Sequence, residues 1–577
     1  MLTSSAHDTK TNTETNVAPS EHSSTILAPD ALPDANAQAG IQDIEATTVA
    51  WSKNALVISY IFLWIIYFYQ TLVSGVSSAL TPYITSAFAL HSLTPTVSIL
   101  SSVIGGVTNL TLAKILDVFG RPQGYLFCIC LSVVGLIMMA ACNGVEAYAA
   151  AMVFYTVGIN GVGYSVSVFV ADTTELKNRG LMQALVTSSS LITTWLAGPV
   201  SQGSLDGPGW RWCFGMFTIL LPVVTLPLFG LLMNNLLKAK RLGLVPERNS
   251  GRTVLQSLLY YCREFDAVGL LLLSAGVALF LLPFNLYTMQ GKGWSSPLVI
   301  SMLVVGIVLI FSFVLWERFL APITFMPYSL LLDRTVFGAC LLSATLFLSY
   351  SLWASYLSSF LQVVKGLDVE HASYVIQTYT VVGVLCAIAV GYLIHRTGRF
   401  KSVSLYLGIP TTVLGLGLMI HFRHPDGNIG YLVMCIVFAA VGQGVVVICS
   451  EIAILAAASH VHVAVCIAVL GVFGSIGGAI GFTIAAAIWQ DVIPAKLMEY
   501  LPTEELENLV MIYADLATQL SYPVGSPTRI AIQHAYGDAQ KRLLIVGTAV
   551  WGIALVGVLM FRNINVISIK QAKGHVW

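Results

Sequence analysis

Glu451 is an acid in the middle of "VVVICSEIAILAA", a run otherwise suited to hydrocarbon. An ionisable side chain is costly to keep at such depth, so it points to work on a charge, either taking up a proton or pairing with a cation. Asp172, which closes the apolar run 147–171, is the second candidate for proton coupling, although a pairing with Lys177 or Arg179 would explain it as well. Other chemistry is scarce. No Ser/His/Asp set converges and no GxxxxGK(S/T) loop occurs, so neither an enzyme nor an ATP-driven machine is expected. His421 and His424, in "HFRH", read as solvated loop residues. Cys128 and Cys130 are two apart and point to different sides of a helix, so the ten cysteines read as packing. No metal site and no cofactor are expected.

The elements that must position Glu451 and Asp172 follow from composition. The 577 residues are 56% apolar and 10% charged, with mean hydropathy +0.81, which is the composition of an integral membrane protein. Formal net charge is zero, so nothing in the overall field favours nucleic acid. Crossing the hydrocarbon takes about 20 apolar residues. Fourteen runs qualify, near 55–75, 93–113, 124–142, 147–171, 181–201, 213–233, 266–285, 298–316, 335–355, 374–394, 402–420, 430–452, 464–489 and 543–561. With the amino terminus inside, 20 of the 28 Lys and Arg fall on inner segments, as the positive-inside rule requires. Both termini are therefore expected in the cytoplasm. Residues 1–50, rich in Ser, Thr, Ala and acids, read as a disordered tail.

An internal repeat orders these runs. "AKILDVFGRP" at 113–122 and "GYLIHRTGRF" at 391–400 align Gly120 with Gly398 and Arg121 with Arg399, each in a tight inner loop. The two loops are eight spans apart, whereas two six-helix halves joined directly would place them six apart. The expected all-α architecture is therefore 6+2+6. It comprises a tail 1–50, a first bundle 51–233, a linker with two extra helices 234–334, a second bundle 335–561 and a tail 562–577. The second bundle includes a polar outer loop 490–542. Asp117, Gly120 and Arg121, with Gly398 and Arg399, are candidates for a latch between two conformations. Each loop alone would also be satisfied by a glycine turn with basic residues on the inner side.

The first loop resembles the signature of the major facilitator superfamily, with Ala113 where glycine is usual and Asp117, Gly120 and Arg121 matching; the second has His395 in place of the acid. The resemblance covers residues 55–561 and implies alternating access by rocking of two helical bundles about a central cavity. "LAGPVSQG" at 196–203 resembles the antiporter motif of fourteen-span drug/proton exchangers, but the fourth span lacks their arginine. "YPVGSPTRIAIQHAYGDAQ", preceded by "LVMIYADLATQL", is similar to the last outer loop of fungal siderophore-iron transporters. "DTTELKNRG" at 172–180 and "SIGGAIGFTIAAAIW" at 475–489 also look like that family. This resemblance implies import of a ferric siderophore, of hydroxamate type, by proton symport, in the plasma membrane or endosomal vesicles. Its substrate-handling loop would offer Tyr513, Tyr522, Arg529 and Tyr536. A drug or glutathione/proton antiporter of the same superfamily, or a nontransporting receptor, is the alternative.

A ferric trihydroxamate arrives with its iron already enclosed and its charges cancelled, so iron would be carried only as the chelate. Such a guest needs aromatic faces and amide or hydroxyl groups. Tyr67 with Gln70, Asn160 with Tyr164, and Tyr350 with Trp353 lie three or four residues apart, so each set shares a helix face. Gln377 and Gln443 add polar groups in later spans. Interfacial belts and helix-to-helix hydrogen bonds are the competing readings, the former for Trp51, Trp210, Trp294 and Trp316. The expected partners are a small-molecule siderophore, protons and the bilayer, with no nucleic acid and a monomeric chain. The loop is expected to form one helix from Thr503, with Leu506, Leu509, Val510, Tyr513, Leu516, Ala517 and Leu520 on a single face, before Pro523, Gly525 and Pro527 break it.

Overall fold

A computed structural model describes residues 51–87, 94–242, 266–287, 292–321, 332–457 and 463–568, with 47, 256, 260, 263 and 290 as isolated additions. Apart from Thr47, the expected tail 1–50 lies outside the described residues, as does 569–577. No strand occurs among the described residues. The helices are α1 Lys53–Ala87, α2 Thr94–Phe119, α3 Arg121–Ala141, α4 Val145–Thr173, α5 Leu176–Thr187, α6 Ser190–Asp206 and α7 Trp210–Arg241. There follow α8 Ala267–Leu281, α9 Pro283–Leu286, α10 Pro297–Leu315, α11 Arg334–Ala354, α12 Leu357–Val363, α13 Val369–Thr397, α14 Phe400–Val403 and α15 Ile409–Phe422. The last are α16 Ile429–Ala457, α17 Val463–Tyr500, α18 Leu509–Ala514, α19 Leu516–Ser521, α20 Pro527–Ala549 and α21 Trp551–Met560. Eleven stretches are long and apolar enough to cross a bilayer by themselves. Of the fourteen expected runs, the other three correspond to α2, the broken pair α5–α6, and α8.

Local chemistry explains the breaks. Between α5 and α6, the hydroxyls of Thr187, Ser188, Ser189 and Ser190 each donate to the carbonyl three residues back, which competes with the helical ladder. The expected Gly-Pro bend is not where this span parts, since α6 runs on through Pro199. Near the start of the second half, Ser355 Oγ bonds back to the Ser351 carbonyl and the chain turns before α12. Gly120 (φ 99°) and Gly398 (φ 68°) make the two repeated turns, in backbone conformations that disfavour side chains. Gly398 ends α13 as a left-handed cap, its N–H bonded to the Ile394 carbonyl.

Two bundles result. α3 packs on α4 and α7, and α1 on α6 and α7; in the other half α11 packs on α17 and α21, and α16 on α13 and α15. The bundles meet along two seams, α2 against α17 and α5–α6 against α13. Each seam joins the second helix of one half to the fifth of the other, as an internal repeat requires. Small residues bring the backbones close: a Cβ on Gly106 would fall 2.1 Å from Ser475 Cβ, inside any contact distance. α8 and α10 pack on each other, and α8 leans on α2 through Val103, Val277, Ala278 and Leu281. Phe311, Val308 and Val304 of α10 are exposed, as on a lipid-facing surface.

Two of the tryptophans read as interfacial have specific partners. Trp51 is buried against Phe169. Trp316 donates from its indole to Asp266, at 2.7 Å, where Asp266 also caps α8.

Candidate functional site

The site has three storeys, beginning at the face that carries the repeated turns. There Arg121 Nε donates to Asp172 Oδ2 at 3.2 Å, both side chains being almost fully buried. Asp172 therefore pairs with Arg121; Lys177 instead meets Glu175 at 2.7 Å. Arg179, buried at the start of α5, donates to the carbonyls of Ala171 and Thr174 and interacts electrostatically with Asp172 and Glu451. Glu451 lies in the other half, on α16, half-buried and within electrostatic range of Arg179 and Tyr67 of the first half. His395 Nδ1 and Asn178 Oδ1, 2.6 Å apart, form a second bridge between halves. The seam is tight: a Cβ on Gly391 would lie 3.0 Å from the Leu181 backbone. Arg399 is exposed beside Gly398, and the side chain of Asp117 lies outside the described residues.

Above this latch, between the bundles, is a cavity of about 280 Å³. α1 contributes Thr71, Ser74 and Ser78; α6 contributes Ser190, Thr193 and Thr194. The other half supplies Tyr350 from α11, Ser358, Ser359 and Gln362 from α12, and Ser373, Gln377 and Thr380 from α13. No Asp, Glu, Lys, Arg or His is among the lining residues. Hydroxyls both donate and accept, so the walls suit a polar guest without net charge. The spacing i, i+4 of Ser74 and Ser78, and the run "TSSSLITT" at 187–194, are the signals that could have marked these residues in sequence.

The third storey is the polar loop. The expected single helix is in fact three pieces, a 3-10 turn Thr503–Asn508 followed by α18 and α19. Asp515 causes the division, since its carboxylate accepts from Ala517 N and Thr518 N and so starts α19. The expected apolar face is divided with it: Leu516 is buried and lines the cavity, while Val510 is 74% exposed. Beyond the turn at Gly525, Ser526 caps α20 and Pro527 takes its first position, which sets Arg529 in the first turn facing the protein.

The candidate binding residues separate into groups. Tyr350 and Gln377 line the cavity, and Tyr350 stacks on Tyr379 at 5.3 Å with Trp353 edge-on at 5.4 Å. Tyr67 and Gln70 lie one turn nearer the latch on α1, and Gln70 Nε2 donates to the Ile159 carbonyl at 3.3 Å. Asn160 lies against Gly105, and Gln443 against Gly383 one turn past Thr380. Tyr164 is buried in the core shared by both halves. Gln70 Oε1 and Gln443 Oε1 are buried without a hydrogen-bond partner and could accept from a donor on a guest. The loop residues are placed apart from these. Tyr536 donates to Gln519 Oε1 at 2.7 Å, Tyr522 to Glu505 Oε2 at 2.9 Å, and Tyr513 is half-buried. Arg529 is buried among main-chain carbonyls. His421 and His424 stand with ring centroids 6.5 Å apart, and no group of three or more His, Cys, Asp or Glu placed to hold a metal occurs among the described residues.

Known proteins can now be set beside this geometry. The family model of the Major Facilitator Superfamily matches residues 63–332. The MFS siderochrome iron transporter 1 of Ajellomyces capsulatus is 51% identical over 542 residues, covering 94% of this chain and 92% of that protein. The siderophore iron transporter mirB of Emericella nidulans is 42% identical, over 95% of this chain and 91% of that one. Among solved structures, a bacterial homolog of the human lysosomal transporter Spinster superposes with TM-score 0.55 at 14% identity, covering 88% of this chain and 97% of that chain. The peptide transporter POT gives 0.51 at 16%, over 87% and 95%. At these identities the two structures speak for the fold alone.

Proposed function

The chain belongs to the Major Facilitator Superfamily and, within it, to the fungal siderophore-iron transporters, and from that premise we propose that it imports neutral ferric siderophores of the hydroxamate type with protons. The observation that carries this reading is the cavity between the bundles, lined by hydroxyls, amides, one tyrosine and a few apolar side chains such as Ile376 and Leu516, and by no charged side chain among the described residues. A ferric trihydroxamate has no net charge, and its amides and alkyl chains match such walls. A chelate retaining several negative charges would be desolvated there without compensation. Iron is cargo inside its chelate, so no protein ligand to the metal is called for.

Proton coupling is assigned to Glu451, with Asp172 behind it. Glu451 on one half faces Arg179 and Tyr67 on the other, and Arg179 also interacts with Asp172, itself paired to Arg121. Protonating Glu451 removes its attraction to Arg179 across the seam, which favours parting of the latch. Proton entry and latch opening would thus be one event. The termini and the latch are placed in the cytoplasm, the loop outside, in a plasma or endosomal membrane, with a single chain as the working unit.

Uptake of labelled ferric trihydroxamate by iron-starved cells lacking their own carriers tests this. Uptake of the iron-loaded ligand in preference to the unloaded one, abolished by a protonophore, is expected. Uptake indifferent to the protonophore overturns the coupling; no uptake overturns the substrate.

A further inference from the structure

A cavity of about 280 Å³ is at the lower limit of ligand pockets, which run from roughly 300 to 1,000 Å³. A bulky chelate cannot enter until a wall moves, and the break after α11 singles out which wall. α12 is a separate seven-residue helix that gives the cavity Ser358, Ser359 and Gln362. A short helix leaves its last carbonyls without partners in its own ladder. Here those carbonyls are taken by side chains of α20. Arg529 Nε donates to the Val363 carbonyl at 3.0 Å and Nη2 to that of Gln362 at 3.5 Å. Gln533 Nε2 reaches the Val364 carbonyl at 3.2 Å, and Gln540 Nε2 holds the other end of the break through the Tyr356 carbonyl at 3.3 Å. Arg529 Nη1 donates in turn to the Gln519 carbonyl of α19, the helix whose Leu516 also faces the cavity.

The three side chains therefore fix both movable pieces, α12 and α19, to the rigid start of one long helix. The Arg529 guanidinium donates to main-chain carbonyls, and the residue is 2% exposed, so it does not reach the guest itself. Packing alone would have held α12 with an apolar residue at 529. A guanidinium, with several directed donors, instead ties three carbonyls of two elements at one point. We propose that Arg529, Gln533 and Gln540 are positioning residues of import: they clamp α12 and α19 as a hinged wall, and loosening of the clamp admits the chelate. This rests on the siderophore reading above for its substrate, but the clamp itself can be read without any substrate.

Two measurements on the full-length protein in intact cells test it. In the first, Ser359→Cys is labelled by a membrane-impermeant thiol reagent, against the unsubstituted protein as background. Adding Arg529→Gln is expected to raise the labelling rate roughly tenfold, the loss attending one charged hydrogen bond. In the second, uptake kinetics of Arg529→Gln should show a lowered KM for ferric trihydroxamate with the maximal rate per surface molecule retained, because the open wall no longer has to be reached against the clamp, and Arg529→Lys should return part of the native KM. A residue that only supports folding would lower surface amount and maximal rate and leave KM alone. Should Arg529→Gln fail to reach the membrane, Gln533→Leu and Gln540→Leu are expected to raise labelling and lower KM to a lesser degree. Unchanged labelling and unchanged KM in variants that reach the surface overturn the clamp. If the unsubstituted chain moves no ferric trihydroxamate, the substrate reading fails while labelling still decides the clamp.

Discussion

The latch and the loop close the same cavity from opposite sides with different chemistry. At the latch, polar and charged groups do the work: Arg121 with Asp172 within one half, the His395–Asn178 bridge between halves, and Arg179 and Glu451 on opposite sides of the seam. At the loop side the halves meet through packing, with the Trp195 and Tyr374 rings 5.4 Å apart and Gly198 against Ser373. A seam held by charge can be switched by a proton, because protonation cancels an attraction at one atom. A seam held by rings and small residues responds to what fills the space between its walls. On the proposed mechanism the proton acts at one gate and the guest at the other.

Breaking the charged gate should have the largest effect. Arg121→Ala leaves Asp172 buried without its partner, and removing one member of a buried pair costs about 3–5 kcal/mol. Uptake should be lost and thermal stability in detergent lowered, with Arg121→Ala combined with Asp172→Asn recovering part of both. Glu451→Gln should come next. Gradient-driven accumulation is expected to fall roughly tenfold, about 1.4 kcal/mol, while exchange of labelled for unlabelled chelate continues. Accumulation equal to the native protein's would move coupling away from this residue.

Smaller effects sharpen the contrast. In Gly391→Ala the new methyl meets the Leu181 backbone, and such overpacking costs about 1–3 kcal/mol. The latch should then open more readily, seen as faster thiol labelling from the cytoplasmic side in inverted vesicles. Trp195→Ala removes a ring pair worth about 0.5–1.5 kcal/mol from the other gate, so chelate should leave that side a few-fold faster and protonophore sensitivity should not change. Tyr522→Phe should do least. Hydrogen bonds from Asn508 and Tyr522 hold the Glu505 carboxyl below its ordinary value. A depressed carboxylate contributes above its usual range and loses that contribution as pH falls through the lowered value. The small KM difference between Tyr522→Phe and native protein should therefore be present at neutral pH and vanish in acid.

Much of the molecule was legible before any coordinates. The runs of apolar residues, the paired Gly-Arg turns and the isolated acid at 451 are local properties, each fixed by a window of a few to about 20 residues. Partners were not legible. Asp172 had two nearby cations available in sequence, Lys177 and Arg179, and the one it meets is 51 positions away. The loop misled for a local reason that a closer look at Asp515 would have caught, since an acid followed by free N–H groups starts a helix rather than continuing one. Arg529 and Tyr536 read in sequence as residues that handle the substrate; in the structure the Arg529 side chain is turned to carbonyls of α12 and α19 and the Tyr536 hydroxyl to the Gln519 amide.

The sequence by itself determined that this chain spans a membrane as a doubled helical bundle with a latch at one face, because hydropathy and turn-forming residues act over short stretches. Only the tertiary structure decided that serines and threonines from four helices line one cavity, and that a single arginine holds two of its walls. The reason is physical: a side chain's partner depends on which helices meet, and here the partners are 10 to 217 residues apart.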